Sequence, residues 1–423
     1  MRALYSLLMW LLQPLLRRKL ARRGRQEPGY LVAVEERFGV YAQPALPDDG
    51  RTIWVHAVSL GETRAAAVLL AVLREQWPQL RLVLTHGTAT GRAEGASLLR
   101  EGDTQVWQPW DTPQAVQRFL AHFRPRLGVL LETEVWPNLA AGCVRAGVPL
   151  VLANARLSEK SLHQARRLAW LSVPVYRSLA AVWAQTQDDA TRLASLGAPV
   201  QGVFGNLKFD ATPDAALQER GRTWHAALAR PVVMFASSRE GEEAEWLLCL
   251  RQAGAAAREV QWLIVPRHPQ RFDEVAALIG AQGHTVARRS QWGAQPSLVD
   301  LSADVWLGDT LGEMALYYGM SDVALLGGSF APLGGQNLIE AAACGCPVLM
   351  GPHTFNFDEA ASLALEAGAA LRCADMAGAV AAALALVQQP GRQQTMARAA
   401  SRFAQAHRGA AERTCRALGA YLG

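Results

Sequence analysis

A chain of 423 residues, half of them hydrophobic, can form two substantial domains, and its composition excludes a largely disordered protein. Its 42 Lys and Arg against 37 Asp and Glu give a formal charge of +5. Seven of the basic residues and no acidic one fall within 1–26 (Arg2, Arg17, Arg18, Lys19, Arg22, Arg23 and Arg25), so the other 397 residues carry 35 basic and 37 acidic groups. Basicity confined to one tail argues against a nucleic-acid partner, whose binding face would carry it instead. The six cysteines include no Cys-x-x-Cys pair and read as small core residues of a reducing compartment.

The tail opens with an apolar run, 3–16, containing Tyr5, Trp10 and Pro14. Fourteen residues fall short of the roughly 20 needed to span a bilayer. The readings are an interfacial anchor held to anionic lipid by RRKLARR, a short spanning helix with its basic flank in the cytoplasm, and an ordinary packed helix. The basic run follows the apolar one and no small-residue cleavage site is evident, which speaks against a signal peptide. Both membrane readings put the globular part in the cytoplasm.

Strands and helices then alternate. Strands are expected at 52–58, 81–87, 126–132, 148–155, 180–186 and 199–205, with helices at 63–76, 89–100, 112–123 and 137–146. After a helix near 214–228, a second set of strands falls at 231–237, 260–266, 285–289, 305–309, 321–328 and 346–352, followed by helices at 360–368, 375–389, 391–407 and 409–421. Strands spaced this way build mostly parallel sheets covered on both faces. The expected organisation is a tail over 1–26, a Rossmann-like domain over 30–210, a second over 211–405, and a last helix over 406–423 that crosses back to the first.

Parallel α/β domains bind ligands at the carboxyl ends of their strands, where this sequence places its polar and glycine-rich segments. HAVSLGET (56–63) offers Gly61 for a sharp turn and Glu62 at a helix start, as general base or as cap. THGTATG (85–91) either holds substrate hydroxyls or caps its helix. ETEVWPN (132–138) places Glu132 and Glu134 one residue apart, on one side of an outgoing strand. NARLS (154–158) and GNLKFD (205–210) add Arg156 and Lys208. In the second half, ASSREGEE (236–243) begins a helix whose N–H groups suit an anion, and VPRHPQRF (265–272) exposes Arg267 and His268. The densest segment is 327–352, in which Gly334 and Gly335 precede a helix bearing Asn337 and Glu340; close backbone approach there suits phosphate. GxGxxG, GxxxxGK[ST] and Asp-x-Asp are all missing.

Taken together, HAVSLGE, LTHGTATG, LLETEVWPNL, NARLS, GNLKFD, PRHPQRF, DTLGEMALYYGMSDVALLGGSF and NLIEAAACGCPVLMGPHTFNF resemble the 3-deoxy-D-manno-octulosonic acid (Kdo) transferases of lipopolysaccharide synthesis, along almost the whole chain. The resemblance implies the α/β GT-B glycosyltransferase fold, two Rossmann-like domains around a cleft, with an N-terminal membrane-associated helix. It implies transfer of Kdo from CMP-Kdo to the 6′-hydroxyl of an acylated disaccharide lipid A precursor at the cytoplasmic face of the inner membrane. An anionic membrane surface is then a further partner. No resident cofactor, metal, nucleic acid or obligate protein partner is expected.

Glu62 stands at the family's catalytic base. Glu134, Ser59, Gly61, Thr88 and Arg156 are the acceptor candidates. Arg267, His268, Gly312, Glu313, Met314, Ser329, Gly334, Gly335, Asn337 and Glu340 fall in the nucleotide-binding segments, and Lys208 and Arg239 are candidates for the donor carboxylate. Gln336 stands where the family commonly has histidine. The alternatives are a GT-B enzyme using a nucleoside diphosphate-sugar, or a two-domain sugar-nucleotide epimerase.

Overall fold

The computed structural model describes residues 2–293 and 295–423. The chain forms two units, Met1–Asp210 with Arg408–Gly423 and Ala211–His407.

The first unit is built on seven parallel strands, β1 (Thr52–His56), β2 (Arg81–His86), β3 (Thr104–Trp107), β4 (Leu127–Leu131), β5 (Leu150–Ala155), β6 (Ala181–Ala184) and β7 (Val200–Val203). They are ordered β3-β2-β1-β4-β5-β6-β7. Strand β1 shows why the sheet is covered on both faces. Its side chains alternate, and both faces are apolar. Ile53 and Val55 pack with Leu69 and Leu73 of helix Leu60–Gln76 and Leu418 of helix Ala410–Leu422. Trp54 packs on the opposite face with Phe119 and Phe123 of helix Pro113–Phe123. The C-terminal helix is thus part of the first unit's core. Its start is capped by Asp210, which accepts from the N–H groups of Gly409 and Ala411.

The second unit repeats the plan with β8 (Val232–Ser238), β9 (Gln261–Pro266), β10 (Val286–Arg288), β11 (Val305–Leu307), β12 (Val323–Leu326), β13 (Val348–Met350) and β14 (Ala370–Arg372). All pair in parallel, in the order β10-β11-β9-β8-β12-β13-β14. In the first sheet the strand order reverses direction between β1 and β4; in the second it does so between β8 and β12, with β11 also inserted between β9 and β10. Loops leaving strands at such a switch point diverge and leave a crevice.

The tail forms two successive helices, Arg2–Leu11 and Gln13–Gly24, with Pro14 in the first turn of the second, where a missing N–H costs nothing. Among the described residues no helix is long and apolar enough to cross a membrane. The first helix faces the domain with Tyr5, Ser6 and Met9. The Ser6 hydroxyl donates to Asn138 Oδ1 at 2.8 Å, and Tyr5 bonds to Asp111. The outward face carries Leu4, Leu7, Leu8, Trp10 and Leu11, all exposed. In the second helix, Arg17 pairs with Glu35 at 2.6 Å and lies over Phe38, and Arg23 lies over Tyr30. Two of the seven tail cations therefore serve to attach the tail.

Candidate active site

In the first unit the loops leaving β1 and β4 meet at the switch point. Ser59 caps helix Leu60–Gln76, and its hydroxyl donates to Glu62 Oε1 at 2.9 Å. The Val58 N–H donates to Glu62 Oε2 at 2.9 Å. Glu62 is therefore both cap and candidate base. Burial pushes its carboxyl up to about 7, and the charges of Glu132 and then Glu134 add to the rise, against the two hydrogen bonds. Gly61 does not form the expected turn. It lies inside the first helical turn without a positive φ, and a Cβ there would meet only Ser59 Oγ, at 3.9 Å. The glycine leaves open space beside Glu62.

Residues 132–135 depart from the expectation of a strand carrying two carboxylates on one side. Strand β4 ends at Leu131, and Glu132 adopts φ 60°. Left-handed backbone at a non-glycine residue costs roughly 1–2 kcal/mol and persists where its surroundings impose it. Here the Glu132 N–H donates to Ala153 O, the Arg156 N–H donates to Glu132 O, and Glu132 Oε1 receives Lys208 Nζ at 3.0 Å. Lys208 is itself placed by a chain from Asn154, also left-handed at φ 51°. Asn154 O accepts from Gln185, Gln185 from Asn206, and Asn206 Oδ1 from the Lys208 N–H. Lys208 is thus paired with Glu132, one of the two carboxylates that ETEVWPN offered.

Glu134 accepts from Trp136 Nε1 at 3.0 Å, and its pKa is raised, first by burial. Thr88 caps helix Ala89–Ala96 and donates to Val58 O, so its hydroxyl braces the Glu62 loop. The half-buried Arg156 side chain has no hydrogen-bond or ion-pair partner among the described residues.

The second unit holds a group of cations at its own switch point. Arg239 follows β8, while Arg267 and Arg271 follow β9. Burial, followed by Arg239, Arg267 and Arg271, depresses the His268 pKa and so favours its neutral form. Arg271 is bound to Glu243 at 2.6 Å and to Glu274. The Arg239 side chain has no hydrogen-bond or ion-pair partner among the described residues. Arg267 Nε donates to Gln336 Oε1 at 3.1 Å.

The glycine-rich segment differs from the phosphate cradle expected. Its N–H groups already enclose Glu242, a residue 1% exposed that the motif reading passed over. Glu242 Oε2 accepts from the Gly328 and Arg239 N–H groups at 2.7 and 3.0 Å, and Oε1 from those of Phe330 and Ala331 at 3.1 and 3.2 Å. Ser329 is fully buried; its hydroxyl donates to Leu326 O and accepts from the Gly351 N–H, so it offers no side-chain group to a ligand. The Gly335 N–H donates to Gly328 O at 2.7 Å and is likewise taken. Gly334 and Gly335, at φ 89° and 75°, form the turn, and a Cβ on Gly334 would meet Asn356 Nδ2 at 2.4 Å.

Asn337 caps the helix Leu338–Ala343. Glu340 lies in its first turn, near Tyr318, whose hydroxyl pKa is raised by burial and next by Glu340. Gly312, at φ 81°, has open space around it and precedes Met314 at a helix start. The Glu313 carboxylate is paired with Arg289 at 2.8 Å and with the Thr310 hydroxyl, which fits it to hold the loop.

Among the described residues no group of three or more His, Cys, Asp or Glu could hold a metal ion. A family model, the 3-deoxy-D-manno-octulosonic-acid transferases, matches residues 33–211. A 3-deoxy-D-manno-octulosonic acid transferase from Bordetella pertussis is 47% identical over 435 residues, covering all of both chains. The chain belongs to the Kdo transferase family.

A Haemophilus influenzae transferase of the same description is 31% identical over all of this chain and 99% of its own. The structure of a UDP-GlcNAc 2-epimerase from Neisseria meningitidis, 14% identical, superposes with a TM-score of 0.58 over 87% of this chain and all of its own; it shows the shared two-domain fold. Family membership makes the chain an enzyme, a transferase of the GT-B type.

What Gln336 supplies is a hydrogen-bond acceptor to a guanidinium. Its amide oxygen fills the role that the unprotonated nitrogen of a neutral imidazole could also fill. The Glu132–Lys208 pair yields a direct prediction. Lys208→Met should lower kcat by about 10²-fold and, with Glu132 left uncompensated, move to higher pH the acid limb that Glu62 as general base would set. An unmoved limb would show that Lys208 acts independently of Glu62.

Proposed function

We propose that this enzyme transfers Kdo from CMP-Kdo to the 6′-hydroxyl of a lipid A precursor, with inversion and without a metal ion. Glu62 is the observation that carries the reading. It is a carboxylate held by Ser59 and Val58, with burial placing its pKa at about 7, near the optimum for a general base at neutral pH. Glu62 takes the hydroxyl proton as that oxygen bonds to the anomeric carbon. The bond from the anomeric carbon to the phosphate oxygen breaks, and its electron pair leaves with CMP. Attack from the face opposite the leaving group inverts the centre.

On the second domain, Arg267, braced by Gln336, and the unpaired Arg239 supply positive charge for the departing phosphate. His268, Gly312, Met314, Asn337 and Glu340 complete the CMP site in this reading. The Lys208–Glu132 pair serves the transition state beside Glu62, which leaves Arg239 as the stronger candidate for the donor carboxylate. Glu134 and Arg156 hold the acceptor. Ser59, Gly61 and Thr88 shape the loop under it. Product formation from CMP-Kdo and a tetra-acylated precursor should persist in excess EDTA; loss on chelation, restored by a divalent ion, would overturn the metal-free reading.

The tail supports a peripheral seat on the cytoplasmic face of the inner membrane. Soluble helices turn their apolar side inward; helix Arg2–Leu11 turns Tyr5 and Ser6 inward and leaves Leu4 and Trp10 63% and 55% exposed. Its inner contacts, Asp111 and Asn138, adjoin the Glu134 loop, so the acceptor's acyl chains stay in the lipid while its sugar reaches Glu62. Changing Leu4, Leu8, Trp10 and Leu11 together to Ser should weaken co-sedimentation with phosphatidylglycerol vesicles by about tenfold or more. Undiminished sedimentation would place the membrane contact elsewhere.

A further inference from the structure

Beside the Glu62 loop lies a cavity of about 230 Å³, which shares Glu134 with the acceptor site proposed above. Its lining includes Arg37, Gln108, Trp110, Asp111, Glu134 and Trp136. Arg37 is 4% exposed and has no carboxylate within ion-pairing distance among the described residues. Its guanidinium lies 3.9 Å from the centre of the Trp107 ring and 5.5 Å from that of Trp110, and Nη2 donates to Gly87 O at 3.3 Å. Arg37 Nε and Trp110 Nε1 are both buried donors with no acceptor, and Gln108 Oε1 is a buried acceptor with no donor. The neighbouring acid cannot serve Arg37, because Glu36 is bound to Arg92 at 2.6 Å and to the Trp107 N–H at 2.9 Å.

A buried cation without a counter-charge is costly, and orphaned buried donors add to the cost. Such an arrangement fits a ligand that brings an anion. The carboxylates of the lining do not fill the role. Both Asp111 oxygens are taken by the N–H groups of Asn138 and Leu139, at 3.0 and 2.8 Å. Glu134 accepts from Trp136. The neutral His56, buried and with its pKa lowered to about 3, adds no charge of its own. Trp110 and Trp136 offer ring faces of the kind on which a pyranose packs, and Val58, whose N–H holds Glu62, belongs to the same lining.

We propose that this cavity is a subsite for an oxyanion carried by the acceptor, a phosphate ester on its sugar, with Arg37 as the receiving cation and Trp110 Nε1 as a second donor. The proposal rests on the acceptor reading given above. Held there, the phosphate would fix the disaccharide beside Glu62, so Arg37 is a positioning residue and its loss should appear in KM rather than kcat.

The test is steady-state kinetics of the full-length enzyme with a phosphorylated tetra-acyl disaccharide and with the same lipid after phosphatase treatment. Arg37→Gln should raise KM for the phosphorylated acceptor about tenfold with kcat nearly unchanged, and leave KM for the dephosphorylated lipid as it was. Arg37→Lys should recover part of the loss, and Trp110→Phe, which keeps an aromatic face of smaller size and removes the N–H donor, should give a smaller rise. Equal changes with both lipids would mark Arg37 as structural and overturn the proposal, as would no change with either.

Tryptophan fluorescence provides a readout independent of turnover. Saturable quenching by glucosamine 6-phosphate that is lost in Arg37→Gln supports the subsite; equal quenching by inorganic phosphate would reduce it to an unselective anion site and overturn the acceptor assignment. Arg37-dependent binding of the sugar phosphate, with no transfer to either lipid, would overturn the acceptor reading while the subsite stands.

Discussion

Glu62→Gln should lower kcat by about 10³-fold, the range in which removal of a general base falls, while CMP affinity stays near wild type. Glutamine keeps the length and one acceptor for the cap but cannot take a proton. In the wild-type enzyme kcat/KM should rise with pH through an apparent pKa near 7, where burial and the charges of Glu132 and Glu134 place Glu62. The residual activity of the variant should lack that limb.

The same shift has a consequence for stability. Glu62 has a folded pKa raised above its ordinary 4.5, so its ionisation opposes folding. The opposition is absent at low pH, grows as pH passes from 4.5 toward 7, and is complete above 7. The melting temperature of Glu62→Gln relative to wild type should therefore move in favour of the variant as pH rises across this window, whatever the fixed cost to the cap. A difference independent of pH would mean that Glu62 titrates normally and is only a helix cap.

The second large effect is expected at Glu242. Four backbone N–H groups from Arg239, Gly328, Phe330 and Ala331 converge on this one carboxylate, which joins the loops leaving β8 and β12. Glu242→Gln turns one oxygen into an amide nitrogen that points its hydrogens at donors. Breaking a buried charged cluster of this kind costs about 3 kcal/mol, and a loosened loop should weaken CMP binding by about tenfold or more. Calorimetric unfolding and CMP titration check the two halves of the prediction. Unaltered CMP affinity would show that these loops do not form the nucleotide site.

Glu242 also shows where sequence reading stops. In ASSREGEE, acids at a helix start look like ordinary dipole partners, and nothing in the string says that one of them is buried under a glycine loop. The alternation of apolar runs revealed both sheets because their strands are buried on both faces. Strands β3 and β14, four and three residues long at the sheet edges, escaped it, whereas the equally short edge strands β7 and β10 did not. The helices Glu159–Arg167, Ala169–Arg177 and Gln187–Ser195 were passed over as well; the first and third are polar, with one and three buried residues.

The motifs located both switch-point loops, because polar residues after an apolar strand have few other reasons to be there. They did not reveal which hydroxyls and N–H groups the fold itself consumes, hence Ser329 and Gly335. Nor did they reveal the left-handed turn at Glu132, which breaks the alternation assumed for Glu132 and Glu134. Arg37 lies in an unremarkable ERFG stretch, and only burial without a counter-ion sets it apart.

The most direct test of the account is CMP release coupled to appearance of a glycosylated lipid, measured for purified enzyme on a tetra-acylated lipid A precursor with CMP-Kdo or UDP-GlcNAc as donor. Lipid product should appear in step with CMP from CMP-Kdo, with no turnover of UDP-GlcNAc. Turnover of the UDP-sugar, or CMP release with no lipid product, would contradict it.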